Sequence, residues 1–155
     1  MTDPAAPERD LPERRAWLGL LARAPAHALR AALTHIDDRP PFTWLRQPEC
    51  GLVMVQARSG GSGARFNLGE ASATRCVLRI DGGPVGVGHV LGTDAGQCGD
   101  IALCDAMLQD PRYADAVREQ VLEPLGSQEQ ERRAERAGRM ERSRVDFFTL
   151  VRGDD

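Results

Sequence analysis

Two arginines bracket the most unusual string in the chain, Arg58-Ser-Gly-Gly-Ser-Gly-Ala-Arg65-Phe66. A glycine-rich loop lets several backbone N–H groups approach an anion closely. Arg58 and Arg65 each add a planar fork of donors that suits phosphate oxygens. Arg58, Gly60, Gly61, Gly63 and Arg65 are therefore the candidate substrate- or phosphate-binding set. The competing reading is a flexible connection between two strands, with both arginines solvated. The string is not a phosphate-binding P-loop, which requires a lysine. All 20 basic residues of this 155-residue chain are Arg. The same lack excludes a lysine Schiff base and the strand lysine of a kinase. Gly86-Val87-Gly88 has no third glycine for a dinucleotide fingerprint and falls in an expected strand. Its glycines read as places where another backbone or a ring packs closely.

The remaining reactive side chains form no constellation. His27 and His35 fall on a polar helix face, and His89 shares a strand face with Val85 and Val87, so it reads as a core or rim histidine. Cys50, Cys76, Cys98 and Cys104 have no metal-type spacing, and no C-x-x-C, H-E-x-x-H or G-x-S-x-G occurs. No catalytic residue and no metal ligand is expected in this chain. The C-terminal string Ser143-Arg-Val-Asp-Phe-Phe-Thr-Leu-Val-Arg-Gly-Asp154 is unusually apolar for a chain end. It offers Arg144, Phe147, Phe148, Leu150 and Arg152 as a candidate partner interface. The alternative is a last strand within the domain's own core.

The elements that must position these groups follow from periodicity. Residues 1–10 read as a loose arm, and residues 11–155 as a single α+β domain with a partner-binding tail. Trp17, Leu20 and Leu21 recur at helical spacing, and after Ala24-Pro25 so do Leu29, Leu33 and Ile36. The middle third reads as a mostly antiparallel β-sheet, with the N-terminal and C-terminal helices packed on it. Leu52 to Val55 is a continuous apolar run, the mark of a strand covered on both sides. Cys76, Leu78 and Ile80 face one way, and Arg75, Val77 and Arg79 the other. Asp81-Gly82-Gly83 then signals a hairpin into Val85 to Leu91. Asp94 and Gln97 suggest a helix start with a reciprocal cap. Pro111 opens a further helix, which Pro124 and Gly126 are expected to close. Residues 127–144 carry six Arg and four Glu and read as a solvated or partner-binding helix, with Glu129/Arg133 and Glu135/Arg139 at pairing distance along it.

Bulk composition sets outer limits. The net charge of −3 gives no whole-chain attraction for nucleic acid. The 41% apolar content fits an ordinary folded core. No run approaches the ~20 apolar residues of a membrane span, and the acidic, Pro-rich start has no secretory pattern. A cytoplasmic protein with reduced thiols is expected, with no nucleic-acid or membrane partner.

Two long strings carry a family resemblance. The C-terminal string Ser143 to Asp154 resembles that of the PhnG family. So does Gly51-Leu-Val-Met-Val-Gln-Ala-Arg-Ser-Gly-Gly-Ser-Gly-Ala-Arg-Phe66, with Gly69-Glu70 after it, and so does the helix string Cys104-Asp-Ala-Met-Leu-Gln109. The resemblance runs from Trp17 to Asp154, and departs where this chain has Ser62 in place of the Thr that other members favour. It implies a small subunit of the bacterial carbon–phosphorus lyase core complex, in phosphonate catabolism. That complex couples ATP to an alkylphosphonate, releasing adenine and forming alpha-D-ribose 1-alkylphosphonate 5-triphosphate. The chain is then enzymatic only as part of the complex, a transferase-type synthase. The resemblance implies partners among the other core subunits, especially a nucleosidase-like one, and alkylphosphonate and ATP met through the complex. It implies no cofactor in this chain. ATP is a co-substrate of the complex, and an iron–sulfur cluster and S-adenosylmethionine belong to a partner subunit. The competing class is a free-standing nucleotide- or nucleic-acid-binding domain.

Overall fold

The computed structural model describes residues 11–142, so the N-terminal arm and the apolar C-terminal string lie outside it. Two helices, α1 (Leu11–Arg23) and α2 (Ala26–Thr34), precede three strands, β1 (Phe42–Arg58), β2 (Arg65–Ile80) and β3 (Val85–Leu91). Helix α3 (Ala95–Leu108) follows. A short α4 (Ala114–Val117) then runs through a π-type turn, Arg118–Leu122, into α5 (Glu123–Arg142). The strands form one antiparallel sheet in the order β1-β2-β3. This is the α+β arrangement expected from the sequence.

Alternation along β2 sets the two faces of the sheet. Thr74, Cys76, Leu78 and Ile80 are buried, whereas Arg75 and Arg79 are exposed. Helix α3 lies against the buried face, and residues 101–108 are all buried. On β3 the residues beneath α3 are Gly86, Gly88 and Val90. A Cβ on Gly86 would collide with the carbonyl oxygen of Ala102, and one on Gly88 with that of Cys98. Those glycines admit the helix backbone, as their strand position suggested. The valines between them face away, and they take His89 with them. His89 is exposed and not a core histidine.

Leu21, Leu29 and Leu33 join Ile101, Met107, Val117, Val121 and Leu125 in the core that α1, α2 and the C-terminal helices share with α3. Asp94 caps α3, its Oδ1 accepting from the Gln97 N–H at 2.8 Å. The cap is not reciprocal, because the Gln97 amide turns away to donate to the Ala24 carbonyl at 2.9 Å. Helical structure also continues through Pro124 and Gly126, where the sequence suggested a stop. The π-type turn changes the bonding pattern just ahead of Pro124. The proline, which lacks an N–H, thus enters at the first turn of the next segment, where that loss costs little.

Candidate functional site

β1 and β2 outrun the rest of the sheet. β3 pairs with β2 only from Arg79 to Ala73, and from there outward β1 and β2 continue alone to the pair Arg58↔Arg65. The outer part of β1, about eight residues, projects roughly 25 Å at the usual strand rise. It carries the apolar run Leu52–Val55. No described residue covers that run on its outer side. Leu52 is 68% exposed and Met54 52%, while across the ribbon Leu68 is 64% and Phe66 45% exposed. The expectation of a strand covered on both sides is therefore not met among the described residues. The hydrophobic run marks a strand, but the cover it anticipates is not supplied by any described element. Two-stranded ribbons are at best marginally stable in water on their own, and an exposed apolar patch of this kind marks an interaction site.

Local sequence shapes the ribbon. β-branched Val53 and Val55 favour the extended chain. Val55 pairs with Gly69 and Gln56 with Asn67, so Leu68 is the extra residue of a bulge. The Gln56 amide donates to the Asn67 side-chain oxygen at 3.3 Å, just beyond the bulge. At the tip, Gly60 and Gly61 adopt φ of 59° and 81°, which a side chain would strain. The Gly63 N–H closes the turn onto the Ser59 carbonyl at 2.8 Å.

The glycine-rich string is thus the tip of the projecting ribbon. It joins two strands, as one reading of the sequence held, and it also brings Arg58 and Arg65 into register as a Cα pair. The Arg58 guanidinium reaches over the loop and donates to the Gly63 carbonyl at 3.2 Å, while Arg65 has no salt-bridge partner among the described residues. From Cys50 to Gly69 the only charged residues are these two arginines. The ribbon's one carboxylate, Glu70, sits back along β2 opposite Met54, so the end of the ribbon is cationic and its uncovered apolar side chains lie behind that end. Arg144, Phe147, Phe148, Leu150 and Arg152 lie outside the described residues.

Behind the ribbon, one buried carboxylate holds the body together. Asp105 is fully buried and accepts from Arg14 Nε and Nη2, from Trp17 Nε1 at 3.0 Å and from the Val87 N–H at 2.9 Å. Those contacts tie α1 and α3 to the free edge of β3. The Gln109 amide seals the same edge, donating to the Val85 carbonyl at 2.9 Å. Sequence reasoning did not single out Asp105. The available signal was a lone carboxylate inside the otherwise apolar stripe Leu103–Leu108. Every oxygen of this carboxylate is engaged, so it is a structural anchor.

The thiols divide by burial. Cys50 is exposed at the base of the ribbon, and Cys76, Cys98 and Cys104 are buried. Burial pushes the Cys76 thiol up to about 12, and raises Cys98 and Cys104 as well. Cys76 on β2 and Cys98 on α3 stand 3.3 Å apart, sulfur to sulfur, between the sheet and the helix. Among the described residues no group of three or more His, Cys, Asp or Glu side chains is placed to hold a metal ion. No described helix is long and apolar enough to cross a membrane.

Comparison with known proteins gives this architecture a family. The family model described as phosphonate metabolism protein PhnG matches residues 12–153. A curated protein of Rhizobium meliloti (strain 1021), named alpha-D-ribose 1-methylphosphonate 5-triphosphate synthase subunit PhnG, is 42% identical over 146 residues, covering 92% of this chain and 91% of that protein. The ribbon, the anchor and the apolar tail all fall inside the matched span, and the chain belongs to the PhnG family.

Proposed function

We propose that this chain is a subunit of a ribose 1-alkylphosphonate 5-triphosphate synthase, acting in phosphonate catabolism within a carbon–phosphorus lyase core complex. The complex joins an alkylphosphonate to the ribose of ATP and releases adenine. This chain supports that step without supplying a reacting group, and the nucleosidase-like subunit is its principal partner. The observation that carries the reading is the projecting ribbon, whose apolar residues no described residue covers and which suit contact with another subunit. The 42% identical relative, itself named as a synthase subunit, supports the same assignment.

At the ribbon's tip, Arg58 and Arg65 with the glycine loop contact the triphosphate of bound ATP. Two guanidinium forks with no carboxylate nearby suit an extended polyanion. The apolar tail with Phe147 and Phe148 adds a second contact to the partner. ATP enters as co-substrate of the complex, and iron–sulfur and S-adenosylmethionine chemistry belongs to another subunit. The complex resides in the cytoplasm.

Co-expression with the other core subunits tests this. Complex containing the chain should release adenine from ATP in the presence of an alkylphosphonate, and complex lacking it should not. Replacing both Arg58 and Arg65 by Ala should weaken ATP binding to the assembled complex while leaving its composition intact. Unchanged ATP affinity would remove the tip from the substrate site.

A further inference from the structure

The sheet has a second, unclaimed surface. Paired residues of neighbouring strands lie on the same face, so the register defines its rows. Glu49, Arg75 and His89 form one row, and Gly51, Ala73 and Leu91 the next outward. Toward the body lie Val77 beside Val87, then Arg79 beside Val85. These residues alternate with those buried beneath α3, so all of them point to the side on which no described helix packs, the helix-free side below. The face continues onto the ribbon through Val53 and Val55. Val77, Val85 and Val87 are only half-buried and Leu91 is 66% exposed. Between the strands, Gly51 and Ala73 floor a hollow of about 230 Å³ walled by Val53, Arg75 and His89. A Cβ on Gly51 would meet nothing within 4 Å, so the floor opens to the outside.

We infer that this helix-free face is a docking surface for another protein subunit whose contact region is apolar at its centre and carries carboxylates opposite Arg75 and Arg79. This deepens the subunit reading and rests on it. The charge pattern selects the partner. Arg75 and Arg79 are exposed and have no salt-bridge partner among the described residues, and the single carboxylate of the row, Glu49, is held by Arg46 at 3.2 Å. A second copy of the chain would present the same cations and meet them with like charge. An acidic rim around an apolar anchor complements the surface instead, the anchor filling the hollow and the rim excluding water around it.

The test uses the co-expressed complex. The face is exposed, so Arg75→Glu with Arg79→Glu should leave the melting temperature of the chain unchanged, as should Leu91→Asp. Each variant is expected to cut recovery of the other subunits with the chain at least tenfold. Arg75→Lys with Arg79→Lys should restore most of that recovery. Recovery of the glutamate and aspartate variants at the wild-type level would overturn the docking surface while leaving the subunit reading intact. A dimer of the isolated chain that these substitutions dissociate would also overturn it, in favour of a second copy. Failure of the wild-type chain to co-purify would overturn the subunit reading, and the docking surface with it.

Discussion

Arg14 grips Asp105 through two parallel hydrogen bonds, Nε to Oδ1 at 3.1 Å and Nη2 to Oδ2 at 2.7 Å, across 91 residues of sequence. Asp105 has no exposed surface, so removing it strands four N–H donors from three residues at once. Asp105→Ala should cost about 3–5 kcal/mol, the scale for breaking a buried pair from one side. Arg14→Ala should cost less, because the Arg14 side chain is 30% exposed and the remaining donors stay on the carboxylate. Chemical denaturation of the two variants checks the order. Equal losses would mean that the Trp17 and Val87 contacts add nothing.

The approach of α3 to β3 yields a second expectation. Gly86→Ala must push the sheet and helix backbones apart, because Ala102 and Ala106 already occupy the space. A loss of about 2–3 kcal/mol is expected, as for overpacking elsewhere. Gly51→Ala is the control, with open space at its Cβ. Its melting transition should barely move. A tolerated Gly86→Ala would show that α3 is not seated on β3 as described.

Much of this fold was legible in the sequence. The alternation from Arg75 to Ile80, the turn at Asp81-Gly82-Gly83 and the Asp94 cap each express a local rule, and each is found. What failed locally failed for tertiary reasons. Val85 and Val87 suggested the core face of β3, but α3 needs the space that glycine leaves, so the core side is Gly86 and Gly88. The run Leu52–Val55 signalled burial, and nothing in a single sequence says whether the cover comes from the same chain. The glycine loop was visible as a feature. Its place at the end of a ribbon was not, because strand length beyond β3 depends on pairing partners.

Acid stability offers a third expectation. Asp110 is held below the ordinary carboxylate range by hydrogen bonds from the Arg112 side chain, the shortest at 2.7 Å, and from its backbone N–H. A folded value below the unfolded one means that the carboxylate stabilises the native state above the unfolded value, near 3.8. The contribution fades as the pH drops from there through the folded value. Asp110→Asn should therefore lower stability between pH 5 and 8 and converge on the wild type in stronger acid. A deficit that persists undiminished at pH 2 would trace to packing and not to charge.

The thiols give a fourth. Cys50 alone among the four is exposed, and the other three are buried and shifted away from thiolate. An Ellman titration of the native chain should count one fast thiol, and four after denaturation. In the assembled complex the fast thiol should slow sharply, since Cys50 lies on the same face of β1 as the uncovered Leu52 and Met54. An equally fast Cys50 in free and assembled chain would leave the base of the ribbon open to solvent.

The most direct measurement shortens the ribbon. Val53 and Ala71 are paired, so replacing residues 54–70 with Asn-Gly closes a two-residue hairpin of a favoured type and removes the tip together with exposed Met54, Phe66 and Leu68. The buried core is untouched, and the shortened chain should melt cooperatively near the wild-type temperature. Co-expressed with the other core subunits, it should fail to join them, and adenine release from ATP should fall to the level seen without the chain. A shortened chain that assembles fully and sustains wild-type adenine release would contradict the claim that the ribbon is what this subunit contributes.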